Sequence, residues 1–300
     1  LDLPTIFVYD GGKGGRSLAY IAPQTIESAV QSLQESATIV AGCTDYFPSL
    51  KGPPPGRIVD VSGIAAMIGI DHSAAGWRIG AATPWTDIIN HPLPPAFDCL
   101  KAAAREVGSI QIQNAGTVAG NICNASPAAD GVPPLLALDA RVEIASRHGT
   151  ATMPLAEFIT GPRQVTLQDD ELVTAVHVPP VPAGATSTFI KLGARKYLVI
   201  SIAMIAVVCV VDPDEILTDI RIAVGSCSPV ATRLHALEQD LIKRPARDLM
   251  TGVPMTPAAL APLAPIDDVR GTGPYRIHAV GELCQRAIRS AIAAALEADA

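Results

Sequence analysis

Two short stretches carry residue types suited to a phosphate-bearing ligand. Residues 41–45 read AGCTD and residues 117–121 read TVAGN. Small side chains let backbone N–H groups approach a phosphate oxygen, and a Thr or Asn adds a donor without requiring lysine. Two such turns could grip two phosphates. The second lies within residues 114–130, NAGTVAGNICNASPAAD, which hold three Asn, two Gly and five Ala but no Lys or Arg. Either stretch alone reads more simply as a tight turn, because Gly, Asn and Thr are ordinary turn residues; the pair carries the inference.

Two carboxylates accompany these turns. Asp45 would repel a pyrophosphate it faced, so its expected task is to cap a helix beginning at Tyr46, with Pro48 in the first turn. Asp130 follows Ser126-Pro127 and could accept from a sugar hydroxyl or cap the next helix. The GGKGG at residues 11–15 lacks the G-K-[ST] ending of a phosphate loop and reads as a turn.

Regular elements must position the two turns. Thr25 can cap the helix IESAVQSLQES, whose Ile26, Val30 and Leu33 share one face. ATIVAG reads as a buried strand leading into the first turn, RIVDVSGI and WRIGAAT as further strands, and FDCLKAAAREV as a helix with Leu100, Ala103, Ala104 and Val107 inward. After the second turn come a helical PPLLALDA and the strands RVEIAS and ELVTAVHVP. The Pro-Ala-Gly run around residues 181–185 suggests a domain boundary. Beyond it, TFIKLGARK, the apolar run YLVISIAMIAVVCVV and ILTDIRIAVGS suggest a small antiparallel sheet, followed by a helix over ATRLHALEQDLIKR. Residues 251–265 read as an irregular connection, and the chain closes on a long helix from Tyr275. Strands and helices alternate irregularly, which favours an α+β fold over a doubly wound sheet.

Composition narrows the function. The chain has 300 residues, 49% hydrophobic and 17% charged, enough for two or three domains. A net charge of -7 without long Lys/Arg runs argues against a nucleic-acid groove. Residues 1–15 lack a secretory pattern, and the apolar run is shorter than the roughly 20 residues of a membrane helix, so a cytoplasmic protein without a membrane span is expected. Cysteines at 43, 99, 123, 209, 227 and 284 have no metal or cluster spacing, nor do the six histidines, including His91 in HPLPP; no metal is expected on this chain.

Three stretches, IVAGCTDYFPSLKG, QIQNAGTVAGNICNASPAADGVPPLLALDA and FIKLGARKYLVISIA, together resemble the flavin-binding medium subunit of molybdenum hydroxylases, the family of xanthine and carbon monoxide dehydrogenases. The resemblance runs from about Pro23 to the final helix. It implies a two-subdomain FAD-binding fold of the PCMH/VAO-like type over residues 1–180, with subdomains of about 1–60 and 61–180. A C-terminal domain of antiparallel sheet and helices would follow over 185–300. By resemblance, Val40, Ala41, Gly42, Cys43, Thr44 and Asp45 form the first FAD pyrophosphate loop. Gly116, Thr117, Gly120, Asn121 and Asn124 form the second. Asp130 points to the ribityl hydroxyls, Val173 touches the flavin edge and Lys191 sits near the isoalloxazine, with Tyr197 or Ile200 covering or tuning the ring.

Cys43 and Ala119 depart from the family pattern, standing where it commonly has the second glycine of each pair. A left-handed backbone at either would cost roughly 1–2 kcal/mol. Leu198-Val199 replace the acidic residues several relatives carry beside the flavin.

The resemblance implies no substrate-oxidising residue here. A molybdopterin-binding large subunit and a small subunit with two [2Fe-2S] clusters would be partners in a dimer of heterotrimers, this chain's FAD passing electrons to an external acceptor. Two other readings stand beside it: an FAD-free scaffold subunit of such a complex, and a free-standing flavin oxidoreductase. The substrate and the acceptor are not encoded in these residues.

Overall fold

The computed structural model describes residues 5–9, 18–33, 37–54 and 56–298; the GGKGG stretch lies outside them. Three sheets of four or five strands organise the described residues, with a two-stranded hairpin, Ile159–Gly161 and Gln164–Val165, beside them. The first has the order Thr5–Tyr9, Leu18–Ala22, Arg57–Asp60, Ala37–Val40, with an antiparallel first pair and parallel pairings thereafter. The helix Ile26–Ser32 supplies the crossover. It starts at Thr25, whose hydroxyl accepts from the Ser28 amide while the Ser28 hydroxyl accepts from the Thr25 amide, so two otherwise orphaned donors are satisfied.

The second sheet is five-stranded and antiparallel throughout: Ile70–Ser73, Gly76–Gly80, Leu172–Val178, Arg141–Ser146, Gly149–Pro154. Its central strand, Leu172–Val178, arrives late in the chain and pairs on both sides with earlier segments. Residues 81–140, which include the second small-residue turn, are thereby closed off as one excursion from this sheet. Within the excursion the helix Asp98–Glu106 buries Cys99, Leu100, Ala103 and Ala104. Val107 is its C-terminal cap and is half-buried, where a longer helix would have turned it inward.

The third sheet has the order Thr186–Leu192, Ala203–Val211, Leu217–Gly225, Thr232–Arg233, all antiparallel. Its second strand is buried on both faces. Ala206 and Val208 join the core shared with the first two sheets, while Ala203, Ile205, Val207, Cys209 and Val211 join a second core under the 26-residue helix Gly273–Ala298. Two-sided burial explains why its sequence is continuously apolar rather than alternating.

Three expectations are corrected. The apolar run contributes a strand only from Ala203; Tyr197, Leu198 and Ile200 are 65%, 57% and 53% exposed in the preceding loop. The helix expected over residues 231–244 spans His235–Leu241, because Thr232 and Arg233 pair with Val224 and Ala223. The connection at 251–265 contains a helical turn, Pro257–Leu260, capped by the Thr256 hydroxyl. Among the described residues no helix is long and apolar enough to cross a membrane.

Candidate functional site

The two small-residue turns meet. A Cβ built on Gly42 would lie 1.8 Å from the Ala115 carbonyl oxygen, so the first turn touches the second backbone to backbone and only glycine fits there. Gly116 is similarly confined: its Cβ would fall 2.9 Å from the Ile112 carbonyl oxygen and 3.4 Å from Thr44 Oγ1. Between the turns lies a cavity of about 620 Å³, within the ~300–1,000 Å³ range of small-molecule sites. Eleven of the expected residues line it, Val40 to Asp45 from the first turn and Gly116, Thr117, Gly120, Asn121 and Asn124 from the second.

The turns differ in what they offer a ligand. The second is built into the scaffold. Thr117 caps the helix Val118–Cys123, its hydroxyl accepting from the Gly120 amide at 3.1 Å, and the Val118 and Ala119 amides donate to the Thr83 and Ala81 carbonyls, both at 3.1 Å. These amides are therefore already engaged. In the first turn the amides of Gly42, Cys43, Thr44 and Asp45 have no acceptor among the described residues. Cys43 has φ 56, the left-handed conformation, which is part of the alternation that forms anion-binding nests. Ala119, by contrast, is helical, so its side chain brings no backbone strain.

Three buried side-chain polar atoms lack partners among the described residues, and two of them, Asn121 Oδ1 and the Tyr46 hydroxyl, belong to residues that line the cavity. An unsatisfied buried polar group costs ~1–3 kcal/mol; both atoms are closed off from solvent, so a ligand reaches them only after a side-chain shift. Trp85 and Ile112 supply apolar wall. Burial, with the Asp60 carboxylate nearby, pushes the Cys43 thiol above its ordinary range, which keeps it protonated rather than a reactive thiolate.

Asp45 does not cap the helix Tyr46–Ser49; its side chain makes no cap hydrogen bond and instead accepts from Asn124 Nδ2 at 3.1 Å. The bond ties the two turns together and turns one carboxylate oxygen toward a donor. Arg163, in the turn between Ile159–Gly161 and Gln164–Val165, completes this contact by donating to Asn124 Oδ1 and, at 3.1 Å, to the Asn124 carbonyl. Sequence reasoning missed Arg163, Tyr46 and Trp85. No motif marks Arg163 or Trp85, because they reach the cavity only through the folding of distant segments; Tyr46 directly follows the first turn and reads there only as a helix start.

Asp130, Lys191 and Val173 lie outside the lining of this cavity. Asp130 and Lys191 form a separate buried group: Lys191 Nζ is 2.8 Å from Asp130 Oδ2 and 3.3 Å from the Glu106 carbonyl, and Ser201 Oγ donates to Asp130 Oδ1 at 2.6 Å. Gly131, not Asp130, caps the helix Val132–Ala137. Burial pushes the Asp130 carboxyl up, with Lys191 and the Ser201 hydroxyl opposing. Val173 is 3% exposed within the five-stranded sheet, opposite Ile144. Among the described residues no cluster of His, Cys, Asp or Glu is arranged to hold a metal.

Comparison with known proteins agrees with this architecture. Residues 16–181 match the FAD binding domain in molybdopterin dehydrogenase, and residues 188–291 match the CO dehydrogenase flavoprotein C-terminal domain. The chain is 32% identical over 284 residues to the putative xanthine dehydrogenase FAD-binding subunit of Escherichia coli (strain K12), covering 92% of this chain and 97% of that protein. It is 30% identical over 262 residues to the nicotinate dehydrogenase FAD-subunit of Eubacterium barkeri, covering 84% and 85%. A chain of carbon monoxide dehydrogenase from Hydrogenophaga pseudoflava superposes with a TM-score of 0.82 at 28% identity, covering 92% of this chain and 97% of that one. The chain thus belongs to the family of FAD-binding medium subunits of molybdenum hydroxylases, a family of oxidoreductase subunits.

Proposed function

We propose that this chain holds FAD in the cavity between its two turns and serves as the electron-transfer subunit of a molybdenum-containing hydroxylase. It would take electrons from [2Fe-2S] clusters on a small partner subunit and deliver them to an external acceptor. A molybdopterin-binding large subunit would oxidise the substrate, with the complex assembled in the cytoplasm as a dimer of heterotrimers. The observation that carries this reading is the cavity itself, lined by both turns, with the amides of Gly42 to Asp45 free of any acceptor among the described residues.

In this reading the first turn donates its amides to the pyrophosphate, and the close approach of Gly42 to Ala115 sets the width between the turns. Thr117, Gly120, Asn121 and Asn124 form the opposite wall. A bound flavin supplies the redox chemistry, its potential tuned by the groups around it. Asp130 and Lys191 present one carboxylate and one ammonium held against each other. Together with Val173 they are assigned to the ribityl and ring end of the cofactor, with Lys191 as the cation tuning the ring.

The test is affinity purification of the tagged full chain from its own host, with metal analysis of whatever co-elutes. Stoichiometric partners containing molybdenum and iron with acid-labile sulfide are expected. A chain that elutes alone under gentle conditions, with no molybdenum or iron, would contradict the electron-transfer role.

A further inference from the structure

One charged side chain of the cavity has no part in the reading above. Arg163 is exposed, yet it lines the same cavity as Gly42 and Asn121, and among the described residues no other Lys or Arg does. Asp45 is the corresponding carboxylate. Among the described residues, a pyrophosphate entering here therefore meets one positively charged lining side chain and one negatively charged one.

The geometry around Arg163 is specific. Its backbone has φ 60, a conformation that disfavours any residue with a side chain. The turn is held by its amide, which donates to the Ala125 carbonyl at 2.8 Å. The guanidinium uses Nη1 alone, on Asn124 Oδ1 and the Asn124 carbonyl; Nε and Nη2 have no partner among the described residues. Asn124 in turn donates to Asp45 Oδ2.

We propose that Arg163 is a pyrophosphate-binding residue of this site. Its free Nε–Nη2 edge takes two phosphate oxygens side by side, the planar fork that a guanidinium offers and an ammonium does not. Nη1 meanwhile keeps Asn124 in place, and Asn124 keeps the Asp45 carboxylate occupied, so the same side chain supplies attraction and limits repulsion. The left-handed backbone is tolerated because the side chain it carries is needed at this position. This inference rests on the FAD reading.

The full-length chain, stripped of flavin, is titrated with FAD by fluorescence quenching at two salt concentrations, as wild type, Arg163→Gln, Arg163→Lys and Arg163→Gly. Because the contact is solvent-exposed, Kd should rise about tenfold in Arg163→Gln and less in Arg163→Lys. The salt dependence of binding should flatten in Arg163→Gln. Arg163→Gly should weaken binding as much while its flavin-free Tm stays level or rises, since glycine accepts the left-handed backbone. A merely structural arginine would make affinity and Tm fall together, and that outcome overturns the proposal. Wild-type affinity in both Arg163→Gln and Arg163→Gly overturns it too, with the FAD reading intact. A wild-type chain that binds no FAD overturns both.

Discussion

Lys191 and Asp130 meet at 2.8 Å with their side chains only 6% and 10% exposed, joining a strand of the third sheet to the loop that follows the second turn. Ser201, from the loop that returns to that sheet, donates to the same carboxylate. The pair therefore holds the C-terminal sheet against the segment that carries the candidate site.

Removing one partner leaves a buried charge uncompensated, which costs ~3–5 kcal/mol. Lys191→Met and Asp130→Leu should each lower unfolding free energy in urea by about 3 kcal/mol, whereas the double variant should lose clearly less than their sum. Additive losses would contradict a direct pairing.

Gly42→Ala should separate the two turns, because its Cβ would overlap the Ala115 carbonyl at 1.8 Å. A loss of about 2 kcal/mol or more in stability and at least a tenfold rise in the Kd for FAD are expected. Gly52, with nothing within 4 Å of its Cβ, supplies the control: Gly52→Ala should leave FAD affinity unchanged.

Cys43→Gly should act in the opposite direction. Relief of the left-handed residue recovers ~1–2 kcal/mol, offset by the ~0.5–1 kcal/mol that glycine's chain entropy costs. The variant should be as stable as wild type or slightly more so by urea unfolding, with FAD affinity equal or tighter. A marked loss of stability would mean that the Cys43 side chain itself holds the turn.

Glu143 predicts a pH dependence. Burial favours its neutral form, yet hydrogen bonds from Arg78, Thr174 and His177 outweigh this and hold its pKa at about 2, against 4.5 ordinarily. A carboxylate depressed in the folded state contributes stability that is present above its unfolded pKa and lost as pH falls through the folded value. Unfolding free energy should therefore drop by about 2 kcal/mol between roughly pH 5 and pH 2 on account of this group. Glu143→Gln should remove that part of the acid slope, and an unchanged slope would contradict the assignment.

Much of the architecture was legible because local chemistry and tertiary packing agreed. RVEIAS forms the strand Arg141–Ser146, and Thr25 caps its helix as its side chain suggested. Both turns were visible as runs of small residues, since close backbone approach at Gly42 and Gly116 excludes anything larger. What was not legible depends on distant partners. Asp45 reads as a cap, but Asn124 offers its carboxylate a donor that no local pattern reveals. The helix after Val230 starts late because the third sheet takes Thr232 and Arg233 as an edge strand. Arg163 had no signal at all, since its hairpin reaches the cavity only after the five-stranded sheet closes.

The most direct test is the visible absorption spectrum of the purified full-length chain, followed by heat release and identification of the chromophore. The account predicts flavin bands near ~450 nm and release of FAD in a one-to-one ratio with protein, as expected when the cofactor carries the redox chemistry. A colourless chain that also takes up no added FAD would contradict it.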